Sequence, residues 1–262
     1  MPPLPQRGRG GSDVTPLQGF GLVVVGAVAS GINAVAGGGS LVSFPYIVGI
    51  GVPVKVANAT NSVGLWPGSL TGGLGFIKRF GATKKYLPAL IPPTAIGSVL
   101  GALLLLNTSA KNFERVIPFL ILLAAVLLLI QPQVKKLVGH RTLPSWAAPL
   151  LQLLVAIYGG FFGAGMGIMM LACFALTMEG DIHELNAVKN WLGLIINFVC
   201  SSVFIWKGLV LPLEGGLLVF GGLIGGYVAA HVSQRFDPDR LRSVIAVYGL
   251  CMAGYFMWRA FV

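Results

Sequence analysis

Charge is what this sequence has least of. Only 10% of its 262 residues are Asp, Glu, Lys or Arg, against about 25% in a soluble globular domain. With so few charges most helical surface cannot face water, and lipid is the alternative solvent. Cysteine and histidine are equally scarce, three of each. Cys173, Cys200 and Cys251 lie inside apolar runs with no CxxC pair, so they read as small core residues and give neither a disulfide framework nor a metal site. His140, His183 and His231 are scattered near segment ends with no carboxylate facing them. An intramembrane enzyme needs an acid–base pair, a nucleophile–base pair or metal ligands at membrane depth. None is present, so no catalytic residue, metal or cofactor is expected, and transport is favoured over catalysis.

What the chain has instead is 55% hydrophobic residues and a mean hydropathy of +0.84. A spanning helix needs about 20 apolar residues, which leaves room for roughly eight to ten segments and no soluble domain. Apolar runs predict helices at Leu17–Ala36, Ser40–Ile50, Val56–Ile77, Tyr86–Leu106, Glu114–Ile130, Ser145–Ala164, Ile168–Met178, His183–Trp206, Val210–Val232 and Arg240–Phe261. Residues 1–16, rich in Pro, Gly and Arg, are expected to be a disordered tail. The first apolar run lacks a cleavage site and is read as a retained helix.

The formal charge of +10 raises nucleic acid as a partner. The basic residues sit in short clusters between apolar runs, however: Lys78-Arg79, Lys84-Lys85, Lys135-Lys136 and Arg235 to Arg242. That pattern marks loops touching anionic lipid and excludes nucleic acid. The richer face is expected to be cytoplasmic, with both termini outside.

Two predicted segments, Ser40–Ile50 and Ile168–Met178, are about half the length a membrane requires. Each follows a glycine-rich break, Gly37 to Gly39 and Gly163 to Gly167. Moving the sequence by the spacing of Gly37 and Gly165 brings Gly31 onto Gly159, Gly39 onto Gly167, Asn58-Ala59 onto Asn186-Ala187, Phe76-Ile77 onto Phe204-Ile205 and Ile96-Gly97 onto Ile224-Gly225. One ungapped shift therefore relates two five-segment halves. The expected divisions are 17–130 and 145–262 as repeats, with 131–144 a cytoplasmic linker. Each long-then-short pair returns the chain to its starting side and three more crossings follow, so the halves enter from opposite faces. The expected fold is an all-α integral membrane protein with an inverted-topology repeat, one short half-helix per half. Gly97/Gly101, Gly221/Gly225 and Gly222/Gly226, spaced by four, predict close helix packing.

Polar residues within apolar segments are costly and mark function by default. Asn58, Asn61, Ser62 and Ser69 share one face of the third segment. Under the same shift they fall on Asn186, Lys189, Asn190 and Asn197 of the eighth. The two faces are expected to line one central site. Half-helix N-termini at Gly38, Gly39 and Ser40, and at Gly167, would add backbone N–H donors and a positive dipole end. No acidic residue lies in either stripe, so the site favours an anion. The alternatives are that Lys189 snorkels to the interface, that the asparagines are interhelical glue, and that the first glycine run is a tight turn.

The run Ala36-Gly-Gly-Gly-Ser-Leu-Val-Ser-Phe-Pro-Tyr46, followed by Val56-Ala-Asn-Ala-Thr-Asn-Ser62, resembles the sulfite exporter TauE/SafE family. The second-half counterparts are Gly159-Gly-Phe-Phe-Gly-Ala-Gly-Met-Gly167 and Leu185-Asn-Ala-Val-Lys-Asn190. The resemblance covers residues 17 to 262 and implies export of sulfite, sulfoacetate or related sulfur-containing anions across the inner membrane. The second half departs from the glycine-rich form, with Met166 and Ile168 where the first has Gly38 and Ser40. Expected partners are a small anionic substrate, the lipid bilayer and, as an option, further copies of the same chain. A carrier of another small anion or of a neutral metabolite is the alternative.

Overall fold

A computed structural model describes residues 14–35, 38–75, 81–137, 143–232 and 238–262. Of the features above, residues 1–13, Gly37, Phe76, Ile77, Lys78, Arg79, His140, Arg141, Arg235 and Asp237 lie outside the described residues. So do the side chains of Ser69, Lys135, His231, Asp239, Arg240 and Arg242. Ten α-helices lie among the described residues: α1 (Pro16–Val35), α2 (Ser40–Gly49), α3 (Val54–Gly75), α4 (Leu87–Asn107), α5 (Ala110–Lys136), α6 (Ala147–Phe161), α7 (Met166–Thr177), α8 (Ile182–Trp206), α9 (Pro212–Val232) and α10 (Pro238–Phe261). A short 3-10 turn, Gly81–Tyr86, leads into α4. Five helical stretches are long and apolar enough to cross a membrane: Pro16–Asn33, Thr83–Asn107, Ala110–Val134, Ile182–Trp206 and Ser243–Phe261. Large apolar side chains cover their outer surfaces, among them Phe20, Ile96, Phe119, Val244 and Trp258. That is the surface expected where the solvent is hydrocarbon. Cys251 is exposed on α10, whereas Cys200 is buried and Cys173 half-buried. The small-core reading of the cysteines therefore fails for Cys251, which faces outward on an apolar helix where a thiol is no burden.

The short elements are shorter than a bilayer. α2 has 10 residues and α7 has 12, about 15 and 18 Å of rise. Tyr46 near the end of α2 donates its hydroxyl to the Gln18 carbonyl at the start of α1, 3.2 Å away. α2 thus returns to the end of the bundle from which α1 sets out. At the other hairpin the Leu143 N–H, ahead of α6, donates to the Leu176 carbonyl in the last turn of α7 at 3.0 Å. α7 likewise returns to where α6 began.

Contacts among the connections sort them into two ends. At the first end the Lys55 ammonium donates to the Leu106 and Thr108 carbonyls at 2.7 and 2.8 Å, and the Leu211 N–H donates to Thr60 Oγ1 at 3.1 Å. At the second end the Thr83 hydroxyl meets the Glu184 carbonyl at 3.4 Å, the Tyr86 hydroxyl accepts from the Glu179 N–H at 3.3 Å, and Lys85 pairs with Glu179 at 3.1 Å. Asp181 and Glu184 form a reciprocal capping box that starts α8 there. Lys55 supplies what the C-terminus of α4 lacks, since the last carbonyls of a helix have no intrahelical donor. Lys55→Met should cost about 1–2 kcal/mol. Detergent-solubilised protein should then melt about 5 °C lower, which a thermal scan would check.

Helix pairing has a regular plan. α1 packs on α9 and α4 on α6; α3 packs on α9 and α4 on α8; α1 meets α2 as α6 meets α7; α5 pairs with α10 and α3 with α8. The closest pairs are glycine seams. A Cβ on Gly26 would lie 2.6 Å from the Leu218 carbonyl oxygen, and one on Gly221 or Gly225 would collide with the carbonyl of Val23 or Ala27. In the other seam a Cβ on Gly97 would lie 2.7 Å from the Leu153 carbonyl, and one on Gly101 would collide with that of Ile157. The predicted spacing by four is therefore backbone-to-backbone packing, which lipid-solvated helices need for want of hydrophobic drive.

Candidate functional site

Both helix breaks lie against the middle of α5. Gly38 has φ +89° and a Cβ there would meet Leu128 at 2.9 Å; Gly165 has φ +78° and a Cβ there would meet the Ala124 backbone at 3.1 Å. The positive φ and the crowding together require glycine. Leu128 and Ala124 are one turn apart, so the two half-helices begin at neighbouring levels inside the bundle.

The start of α7 is open and positively poised. Its N-cap, Gly165, offers no side-chain cap, and the Gly167 N–H has no partner among the described residues. Lys189 of α8 is 7% exposed, and its stem crosses this first turn: Cδ lies 3.4 Å from the Cβ position of Gly167. The side chain thus runs to the interior break, against the snorkelling alternative. A lysine side chain laid along the positive end of a helix makes this a region of positive potential, which would draw an anion.

The start of α2 is arranged otherwise. The Gly39 N–H donates to Asn33 Oδ1 of α1 at 2.7 Å, so this amide is used within the chain and does not await a ligand. Asn33 escaped the sequence reading because its position in the second half is Phe161, and the repeat comparison passes over unmatched residues. An asparagine in the last turn of an apolar helix, four residues before a glycine break, was the available signal. The Ser40 N–H has no partner among the described residues.

On α3, Asn58 and Asn61 are 1% and 2% exposed. Asn58 Nδ2 donates to the Phe161 carbonyl, the last of α6, at 3.0 Å. This interhelical bond is glue of the kind weighed above, and it also satisfies a helix end. Asn61 Oδ1 is buried without a partner. Ser62 donates to the Asn58 carbonyl at 3.0 Å and its hydroxyl lies beside the Cys200 thiol of α8. On α8, Asn186 donates to the Ile182 carbonyl at 2.8 Å, while Asn190 and Asn197 are half-buried.

The two polar faces lie on packed helices. α3 and α8 run in opposite directions and touch at Trp66 and Phe198, whose ring centroids are 5.9 Å apart. Counted along the helices from that contact, Asn61 lies about 8 Å towards the first end and Lys189 about 14 Å towards the second. Asn58 nonetheless reaches the end of α6, at the break that leads into α7. Asn58, Asn61 and Ser62 stand on the α3 side; Asn186, Lys189 and Asn190, with Gly167 of α7, stand on the α8 side. The stripes themselves carry no carboxylate. Glu214 in the first turn of α9 is nonetheless only 3% exposed, so one carboxylate is buried at the first end, outside the stripes. A helix N-terminus tolerates a carboxylate there.

Comparison with known proteins agrees with the architecture. The model of the family described as "Sulfite exporter TauE/SafE" matches residues 22–256. A "Probable membrane transporter protein" of Haemophilus influenzae is 27% identical over 237 residues, covering 88% of this chain and 91% of that protein. The "Probable membrane transporter protein YfcA" of Escherichia coli K12 is 24% identical over 248 residues, covering 94% and 91%. A "Probable membrane transporter protein ORF9" of a Sinorhizobium species is 24% identical over 233 residues, covering 88% and 89%. No solved structure matches. With a match over most of its length, the chain belongs to the sulfite exporter TauE/SafE family, and it is a multi-pass membrane transporter and not an enzyme.

Proposed function

We propose that this transporter exports small sulfur-containing oxyanions, sulfite, sulfoacetate or similar, by alternating access through an inverted-topology repeat of 17–130 and 145–262. The observation that carries the anion is Lys189 laid over the uncapped start of α7, two positive features with nothing acidic in the stripe. In support of the repeat, the principal pairings are kept when each helix of one half is exchanged for its counterpart in the other, although the packing of α5 on α3 and α2 has no match of like weight for α10. The two hairpins also set out from opposite ends of the bundle. The moving bodies would not be the sequence halves, because the glycine seams bind α1 to α9 and α4 to α6 across them. Those two pairs are the rigid blocks. An anion would bind first at Lys189, Asn186, Asn190 and Gly167, and pass to Asn58, Asn61 and Ser62, with Gly38, Gly39 and Ser40 shaping the break at the start of α2.

An inside-negative potential favours outward movement of an anion by about 2.3 kcal/mol per charge per 100 mV. Purified protein in liposomes with a set potassium-diffusion potential should therefore move labelled sulfite at a rate that depends on the potential. Absence of flux with sulfite, sulfoacetate and thiosulfate alike would sink the substrate assignment.

A further inference from the structure

Most buried glycines of this bundle are explained by backbone contact, but Gly193 of α8 is not. A Cβ there would meet only the methyl ends of Met170 and Met166, at 3.7 and 3.9 Å, which is ordinary van der Waals contact. Glycine inside a helix is about 1 kcal/mol less favourable than alanine, and packing does not require it here. Gly193 lies one turn beyond Lys189 on the same side of α8, facing the start of α7. Behind Met170 stands Gln152 of α6, fully buried. Its Nε2 donates to Thr94 Oγ1 at 3.0 Å and lies 3.7 Å from Met170 Sδ. Its Oε1 has no partner among the described residues. A buried acceptor left unpaired is costly, and Met170, beside the same amide group, is an adaptable, easily displaced apolar side chain.

We propose that Gly193, Met166, Met170 and Gln152 are the specificity-determining part of the site. Resting on the reading of Lys189 as the anion-holding residue, they fit a short-chain organic anion with a hydrogen-bond donor at the end remote from its charge. The charged head lies at Lys189 and Gly167, the carbon chain runs over Gly193 between the two methionine methyls, and the donor reaches Gln152 Oε1.

The test is flux of sulfite, ethanesulfonate and 2-hydroxyethanesulfonate through wild type, Gly193→Ala, Gln152→Leu and Lys189→Met in liposomes. Wild type should move 2-hydroxyethanesulfonate about tenfold better than ethanesulfonate, and Gln152→Leu should bring the two together. Gly193→Ala, which the contacts accommodate without distortion, should lower flux of both two-carbon anions about tenfold more than that of sulfite. Equal losses for all three anions in Gly193→Ala, or no preference for the hydroxyl in wild type, would overturn the proposal. If Gln152→Leu does not fold, Gly193→Ala and the wild-type preference still decide. Unchanged flux in Lys189→Met would instead remove the underlying anion site, so the two failures are distinguishable.

Discussion

Liposomes carrying Lys189→Met should lose anion flux by roughly thirtyfold or more, while the protein keeps its fold. Removing one partner of a desolvated charge contact costs about 2 kcal/mol or more, and 1.4 kcal/mol is about tenfold. Methionine keeps most of the stem that lies against Gly167, so packing between α7 and α8 is retained. That combination is diagnostic: a lysine kept for structure would lose stability on substitution, whereas a lysine kept for an anion loses transport. Flux and melting temperature measured on the same preparation separate the two. Lys189→Arg should keep part of the activity, since charge is retained but the guanidinium is broader than the ammonium.

A second large effect is expected at the glycine seams. Gly225→Ala and Gly101→Ala each place a methyl onto a partner backbone carbonyl, that of Ala27 and of Ile157. Backbone cannot swing away as a side chain can, so the helices must separate along their length, at a cost of about 1–3 kcal/mol per site. Both variants should melt several degrees lower, and larger residues such as valine should prevent recovery of folded protein. Gly216→Ala and Gly254→Ala serve as controls, because nothing lies within 4 Å of a Cβ at either position. These should be neutral or stabilising by up to about 1 kcal/mol. If all four variants behaved alike, the seams would not be what holds the bundle together.

Local features were well encoded in the sequence. The half-helices, their glycine breaks and the seam glycines follow from hydropathy, from the φ preferences of glycine and from spacing by four, all of which are properties of neighbouring residues. The stripes on α3 and α8 were also legible, since a helical face is set by residue spacing alone. Their relation in space was not. Equal offsets from the start of two helices do not say where the helices meet, and Asn61 and Lys189 lie in opposite directions along them from the Trp66–Phe198 contact. Asn33, Gln152 and Glu214 were missed for a related reason. None has a like residue in the other half, so a search guided by symmetry discards them, although the differences between the halves are where a transporter's preference for one substrate must reside.

The seams also bear on how the chain reaches its fold. α1 and α4 emerge during synthesis well before α9 and α6, the helices whose backbones they grip, so each presents a bare groove of small residues to lipid in the interval. No half-made intermediate can settle into a finished half, and assembly closes only when α9 docks against α1 and α3 and α10 against α5, helices laid down long before them. A transporter wound together in this way exists only when complete: a chain interrupted before α9 leaves an unclosed bundle for the membrane's quality control and not a smaller working pore.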